Sequence, residues 1–297
     1  MFCYTHYMPS KPLRINASIP KTVELKRHDF FYQYGTETIK YSVWSTNHSS
    51  RIKTIVFLGT VQIGKLPLWI AQNCPLDTVV VQGAPHWLAR DDGGDIPEFM
   101  FRFTEEAFMS VLKTYRTDKL CIIAESQAVP GVLRLLTIDS HSIKVNKLAL
   151  LQPLGLNATA FAGTTKERTD IFKRRIARNF RYQLISLLFD RRLLYNHKQL
   201  LRTVGYDNAK SNAQYGSGLL YDATDDLKKI YATHRHIIVV CGEKDMLFPP
   251  QELQAMMTNN KLDIPIIIVP HIPHSPPASR QGMKLLNKAF GYFEIDQ

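Results

Sequence analysis

Short apolar runs, each about the length of one strand, recur along this 297-residue chain and are separated by segments with helical spacing. The runs cover residues 54–58, 78–81, 120–124, 147–151, 237–241 and 264–269. A continuously apolar strand must be buried on both faces, and parallel strands covered by helices achieve this. The pattern predicts an α/β fold with a mostly parallel sheet of about eight strands, flanked by helices.

Other parts of the chain add two strands and a set of helices. Residues 28–34 and 38–44 alternate apolar and polar side chains around Gly35, which is typical of two strands joined by a short turn. Helical spacing predicts helices over 66–73, 104–115, 127–138, 250–259 and 278–293. The last of these would bury a stripe formed by Leu286, Ala289, Phe290 and Phe293.

The alternation of strands and helices stops between residues 156 and 233, where no strand pattern occurs. Apolar residues recur every three or four positions from Ile171 to Leu188, which predicts at least one amphipathic helix. We interpret 156–233 as a helical cap that lies over the strand ends. The remaining residues, 1–155 and 234–297, would then form the core domain.

The predicted cap carries most of the net charge of +11. Residues 166–210 contain twelve lysines and arginines against four acids, a local charge of +8. A solvated helix surface is the simplest interpretation, and the alternative is attraction of an anionic substrate or of an anionic membrane surface. No zinc-finger spacing or RNA-binding aromatic pattern accompanies the charge, so nucleic acid is the least favoured partner.

Several classes of protein do not fit this composition. No stretch approaches the roughly 20 apolar residues of a membrane-spanning helix, and residues 1–12 lack the order of a signal peptide. The four cysteines form no CxxC pair, and Cys121 and Cys241 lie in apolar runs as small hydrophobes. We expect a cytoplasmic protein. Without a metal-ligand cluster or a phosphate-binding glycine loop, no cofactor is expected.

Ser126 occupies a sharp turn between a predicted strand and a predicted helix. The apolar run 120–124 passes through Glu125 and Ser126, and helical spacing resumes at once. Such a turn exposes the serine hydroxyl near free helix amides, which can bind an anion. Ala124 and Ala128 stand where glycines usually relieve crowding. Ser126 could instead only cap the helix that follows.

A serine hydroxyl becomes a useful nucleophile only with a base and an orienting acid beside it. Asp245 follows the run 237–241 and a glycine turn, while His271 and His274 follow the run 264–269. Loops after parallel strands emerge at one edge of the sheet, so these side chains are expected to meet there. Either histidine could be the base, and Asp245 could instead cap the helix near Pro249.

The order of these features along the chain resembles that of the α/β-hydrolase superfamily. The paired first strands, the elbow at Ser126, the turn over 242–249 and the histidine loop follow that superfamily's order of Ser, Asp and His. Many members end the last strand with a phrase like V-P-G-A-G-H, and residues 269–274 have the same length, which favours His274 over His271. The insertion 156–233 occupies the place where members carry a cap.

The resemblance implies a role for each residue. Ser126 would attack a substrate carbonyl, His274 would accept and return its proton, and Asp245 would orient the imidazole. The backbone amides of Gln127 and Thr60 would stabilise the oxyanion. Many members have His-Gly in the second of these loops, and this chain reads Leu58-Gly59-Thr60 without the histidine.

The expected reaction is hydrolysis of a carboxylic ester or thioester through an acyl-enzyme intermediate. The substrate would be a small molecule with an acyl group, and an anionic portion would be attracted by the basic cap. Two alternatives stay open: a non-catalytic protein that binds a ligand or partner, and a lyase or peroxidase reaction on the same triad. His86 is interpreted as a pocket or surface residue, and Glu125 as pointing away from the site to hold the turn.

Overall fold

The computed structural model describes most of the predicted core and part of the insertion. The described residues are 25–34, 37–45, 51–59, 66–75, 77–82, 96–117, 119–138, 144–156, 190, 221–234, 236–275, 277 and 279–294, with 164, 167, 170, 171, 174, 175, 177–179, 181 and 182 of the insertion.

The described residues form an eight-stranded sheet with the order β1-β2-β4-β3-β5-β6-β7-β8. Its strands are β1 Lys26–Tyr34, β2 Glu37–Ser45, β3 Thr54–Phe57, β4 Thr78–Val81, β5 Leu120–Glu125, β6 Val145–Leu151, β7 Ile237–Lys244 and β8 Ile266–Pro273. The pairs β1–β2 and β2–β4 are antiparallel, and the other neighbouring pairs are parallel. The prediction of a mostly parallel sheet is therefore confirmed.

Helices cover both faces of this sheet. They are α1 Leu66–Ala71, α2 Ile96–Thr114, α3 Ala128–Ile138, α4 Thr224–Thr233, α5 Pro250–Asn259 and α6 Arg280–Glu294. The predicted bounds of α5 are correct, whereas α2 begins at Ile96 rather than at 104. Pro97 follows the first residue of α2, and a helix tolerates proline in its first turn.

Neighbouring residues of one strand pack into different halves of the core. Ile122 of β5 belongs to a cluster with α2, α3, α4 and α5, while Ile123 belongs to a cluster with α1 and α6. Both side chains are fully buried. This burial on two faces explains why the central strands are continuously apolar. The second cluster also contains the predicted stripe of the last helix, Leu286, Ala289, Phe290 and Phe293, which is confirmed.

Helix α4 lies within the range 156–233 that the sequence assigns to the cap, yet it packs on the core. Leu227 and Ile230 are buried in the same cluster as α3. Asp226 accepts a hydrogen bond of 3.3 Å from Thr137 Oγ1 of α3 and pairs with Arg134 at 3.7 Å. This part of the range therefore belongs to the helical layer of the core. Residues 183–189 and 191–220 lie outside the described residues, and the rest of the cap stays a prediction.

The cysteines that the structure describes are buried and free. Cys74, Cys121 and Cys241 form no disulfide, and the interpretation of Cys121 and Cys241 as small hydrophobes is confirmed. Burial, with a smaller contribution from the Asp245 charge, raises the pKa of the Cys241 thiol to about 12. Of the helices in the described ranges, none combines the length and the apolarity needed to cross a membrane.

Strands β7 and β8 approach each other unusually closely at Gly242. A Cβ atom on Gly242 would lie 2.1 Å from the carbonyl oxygen of Ile272 in β8 and 2.8 Å from its carbonyl carbon. The register of the two strands shifts just beyond this residue, between Gly242 and Lys244. Because Asp245 and His274 follow these two strand ends, the close approach sets the separation of the loops that carry them.

Replacing Gly242 with alanine is expected to destabilise the fold by about 3 kcal/mol or more, because two backbones would have to move apart. The matched change Gly291→Ala lies in α6 and meets no atom within 4 Å. Alanine there should stabilise the protein by about 0.5 to 1 kcal/mol, since glycine loses more entropy in a helix. Urea denaturation measures the free energy of unfolding of both variants. Equal midpoints would contradict the close approach of β7 and β8.

Candidate active site

Ser126 lies in the turn between β5 and α3 with a φ angle of 49°. This left-handed conformation costs a residue with a side chain about 1 to 3 kcal/mol, so surrounding contacts must hold it. The Ser126 N–H donates to the Leu151 carbonyl of β6 at 2.9 Å, and the Ser126 carbonyl accepts from Val129 N–H at 3.1 Å. The strained backbone of Ser126 agrees with the sharp turn that the sequence predicts between this strand and helix.

The two alanines of the elbow are buried, and a glycine just past β3 lies close to Ser126. Ala124 and Ala128 are both buried in the core cluster that contains α3. Gly59, just past β3, faces the turn from the other side, where an added Cβ would lie 3.3 Å from Ser126 Cβ. A side chain at position 59 would therefore crowd Ser126 in the turn.

Asp245 and His274 form a hydrogen-bonded pair. His274 Nδ1 lies 2.8 Å from Asp245 Oδ2, and Asp245 is only 1% exposed. The other carboxylate oxygen, Oδ1, accepts hydrogen bonds of 2.9 Å from the backbone N–H groups of Leu247 and Phe248. Asp245 therefore holds its own turn with one oxygen and orients the imidazole with the other.

Two neighbouring acids favour a proton on His274. Burial alone would lower the pKa of His274, and the charge and hydrogen bond of Asp245, with the charge of Glu125, outweigh burial and raise it. The two acids therefore stabilise the imidazolium form relative to an isolated buried imidazole. A histidine that accepts a proton during a reaction needs this environment.

His271, the other candidate base, lies on the surface. Its side chain is 88% exposed, and its Nδ1 is 3.6 Å from Glu243 Oε2. Its backbone N–H also donates to Glu243, and its φ angle is 59°. His271 lies within β8, whereas His274 directly follows β8 and pairs with the acid after β7.

Glu125 differs from its sequence-based interpretation. Its Oε2 accepts a hydrogen bond from the Gly59 N–H, as expected of a residue that holds the turn. Its carboxylate is buried, however, and its charge acts on His274, so it does not point away from the site. Burial raises the pKa of Glu125 to about 7, against the opposing effects of the Gly59 hydrogen bond and the His274 charge. The sequence did carry a signal for this buried acid, namely a glutamate at the end of an otherwise apolar strand.

The structure describes one of the two expected oxyanion donors. Gln127 directly precedes α3, and none of the hydrogen bonds among the described residues uses its backbone N–H as donor. This leaves the amide available to an anion beside Ser126. Thr60 lies outside the described residues, as does His86. The side-chain oxygen Oε1 of Gln127 is buried and has no hydrogen-bond partner in the described part of the chain.

Two carboxamide side chains that the sequence analysis did not identify hold the histidine loop. Gln152 exchanges two hydrogen bonds of 2.9 Å with the backbone N–H and carbonyl of Ser275. Asn179 does the same with His274, at 2.9 and 3.0 Å. Neither residue belongs to a recognisable motif. Across the described ranges, no group of three or more histidine, cysteine, aspartate or glutamate side chains could hold a metal ion.

Comparison of the sequence with protein-family models and with curated proteins found no match. Solved structures do match. A proposed lipase from Acinetobacter baumannii AYE has a TM-score of 0.61 at 10% identity, covering 91% of this chain and 92% of the lipase. An α/β-hydrolase enzyme from a Medee basin deep-sea metagenome library has a TM-score of 0.55 at 11% identity, covering 90% of this chain and 98% of that one.

A third match is 2-hydroxy-6-oxo-6-phenylhexa-2,4-dienoate hydrolase from Rhodococcus sp. strain RHA1, with a TM-score of 0.53 at 12% identity. It covers 90% of this chain and 100% of that hydrolase. Likeness at such low identity concerns the fold and not the activity. The strand order, the mostly parallel sheet and these matches together show that the chain has the α/β-hydrolase fold.

Proposed function

We propose that this protein is a serine hydrolase that cleaves a carboxylic ester or thioester through an acyl-enzyme intermediate. The observation that carries the proposal is the hydrogen bond of 2.8 Å between His274 and the buried Asp245, at the sheet edge where Ser126 occupies a strained turn. A histidine oriented by a buried carboxylate beside an elbow serine is the arrangement that nucleophilic catalysis by serine requires.

In the proposed reaction, Ser126 Oγ attacks the carbonyl carbon while His274 Nε2 accepts the hydroxyl proton. The Asp245 carboxylate holds the Nδ1–H, which leaves Nε2 to act on the serine. The oxyanion of the tetrahedral intermediate would accept hydrogen bonds from the backbone amides of Gln127 and Thr60. His274 then donates the proton to the leaving alcohol or thiol. Water repeats the sequence on the acyl-enzyme and releases the acid.

One contact in this scheme is not formed in the described part of the structure, since no hydrogen bond joins Ser126 Oγ to His274. His274 forms hydrogen bonds with Asp245 and Asn179. Catalytic hydrogen bonds of this kind are often long in the free enzyme and tighten when substrate binds. The mechanism therefore requires the hydroxyl and the imidazole to come together in the substrate complex.

The proposed substrate is a small molecule with an acyl group and an anionic portion. Arg174, Arg178 and Arg181 are exposed on the insertion, in a region whose local charge is +8. Their field would attract an anionic leaving portion, or an anionic membrane surface that carries the substrate. The cytoplasmic location is likewise a proposal from the sequence.

Replacing Ser126 with alanine is expected to lower the rate of hydrolysis of short and medium p-nitrophenyl acyl esters by about 1,000-fold or more, because the nucleophile is lost. The wild-type protein should react covalently with a fluorophosphonate probe at Ser126, and the variant should not. The control Ser42→Ala changes a serine of β2, which β4 and β3 separate from β5. It should keep full activity.

Equal inertness of wild type and variant toward both the esters and the probe would contradict the proposal. That outcome favours a non-catalytic binding protein. Labelling of Ser126 together with products other than the acid and the alcohol or thiol would indicate a lyase or peroxidase reaction instead.

The pH dependence of the reaction is expected to respond to Glu125. The Glu125 carboxylate helps to raise the pKa of His274, so its removal in Glu125→Gln should lower that pKa. Because His274 must be neutral to accept a proton, the acid limb of kcat/KM should move to lower pH. Glutamine can still accept the hydrogen bond from the Gly59 N–H, which preserves the loop.

This shift is measured from kcat/KM between about pH 5 and pH 9. The control Glu105→Gln removes the same charge from an exposed position of α2 and should leave the limb in place. An acid limb that stays fixed or rises in Glu125→Gln would show that Glu125 does not act on the catalytic base.

A further inference from the structure

The loop that carries His274 is held from two different parts of the chain. Gln152, which is 1% exposed and follows β6, pairs with the backbone of Ser275. Asn179, which is 5% exposed, pairs with the backbone of His274. In each case one carboxamide satisfies both a backbone N–H and a carbonyl, as a neighbouring strand would. Gln152 belongs to the core domain, whereas Asn179 belongs to the insertion.

A second residue of the insertion reaches the loop that carries Asp245. Arg175 forms a two-pronged pair with Glu252 of α5, with N···O distances of 2.6 and 2.9 Å, and donates to the Leu247 carbonyl at 3.0 Å. Leu247 is one of the two residues whose N–H groups bind Asp245 Oδ1. A partly buried bidentate pair fixes both position and angle. Arg175 thus ties the insertion to the acid loop.

Arg175 and Asn179 lie on one face of a helical segment. The residues that the structure describes between 174 and 179 have helical backbone, and positions four apart are neighbours on a helix surface. Arg174 and Arg178 are exposed on the same segment. One face of the segment therefore contacts the acid loop at its start and the base loop one turn later.

From these contacts we infer that Asn179 and Arg175 are positioning residues for the catalytic base and acid. The inference rests on the proposed function of Ser126, His274 and Asp245. The insertion would complete the catalytic machinery, in addition to covering it. Asn179 fixes the backbone from which the imidazole extends, and Arg175 fixes the turn in which the carboxylate sits.

The expected consequence of losing either contact is poor alignment rather than loss of substrate binding. Reacting groups displaced by about 1 Å can slow a reaction by about 100-fold. Neither residue is proposed to touch the substrate, so Asn179→Ala should lower kcat by about 10- to 100-fold with little change in KM. Arg175→Gln should act in the same direction. Ala177→Ser is the control, because Ala177 is exposed on the same helical segment and has no role in the proposed site.

A second measurement does not depend on catalysis. The proton on His274 Nδ1, held by Asp245, should give a downfield ¹H NMR resonance in the free protein, assigned by its loss in Asp245→Asn. It should broaden or disappear in Asn179→Ala and persist in Ala177→Ser. Thermal unfolding of each variant shows whether the fold is intact. If Asn179→Ala does not fold, Arg175→Gln provides the same test, because it leaves the contacts between Asn179 and His274 in place.

Persistence of the resonance and of kcat in folded Asn179→Ala and Arg175→Gln, even with a lowered Tm, would overturn the inference and leave both residues a purely structural role. Failure of the proposed function is recognised separately, by wild-type protein that neither hydrolyses esters nor reacts with the fluorophosphonate. In that case the NMR resonance is the remaining test of the positioning roles, because it reports the hydrogen bond between His274 and Asp245 whether or not the protein is active.

Discussion

The parallel pairing of β5, β6, β7 and β8 is the constraint on which the candidate site depends. Ser126, Gln152, Asp245 and His274 each follow the end of one of these strands. The strand ends are also linked to one another: Ser126 N–H donates to Leu151 of β6, and Gln152 N–H donates to Val240 of β7. The Gln152 side chain then reaches the loop after β8. Chemistry at the elbow is thus supported by a continuous row of hydrogen bonds across four strands.

The same edge of the sheet holds features that cost stability. Ser126 and Gln152 both have positive φ angles, and Glu125 and Asp245 are buried acids. A buried carboxylate is tolerated when hydrogen bonds compensate it, and Asp245 bonds to the amides of Leu247 and Phe248 and to the imidazole of His274. The charges of Glu125 and His274 act on each other, so the protonation of one depends on that of the other. Local strain and buried charge gathered at one place are typical of a catalytic site, and the apolar core supplies the stability that they remove.

The sequence predicted the elements whose signal is local. The strands β4 and β5 and the helix Pro250–Asn259 can be recognised within about ten residues. Burial on both faces makes a strand continuously apolar, and burial on one face gives a helix an apolar residue every three or four positions. Ser126, Asp245 and His274 could be chosen because each follows such a run. Helix α4 was missed because only Leu227 and Ile230 mark its apolar side. The contacts of Gln152 and Asn179 join residues 123 and 95 positions apart, and a single amide in a loop carries no pattern that foretells its partner.

The basic insertion shows why charge counted along a sequence is an incomplete guide to function. Arg175 belongs to the run of arginines that suggested an anion-binding surface, but its guanidinium is committed to Glu252 and Leu247. An apolar stripe alone could dock the helical segment in several registers, since apolar contact is not directional. The bidentate pair at Arg175 and the two hydrogen bonds at Asn179 are directional, so they fix how the segment is rotated about its axis and how far it lies from the loops. Within one helical segment, Arg175 and Asn179 thus contact the loops that carry Asp245 and His274, and Arg174 and Arg178 beside them are exposed.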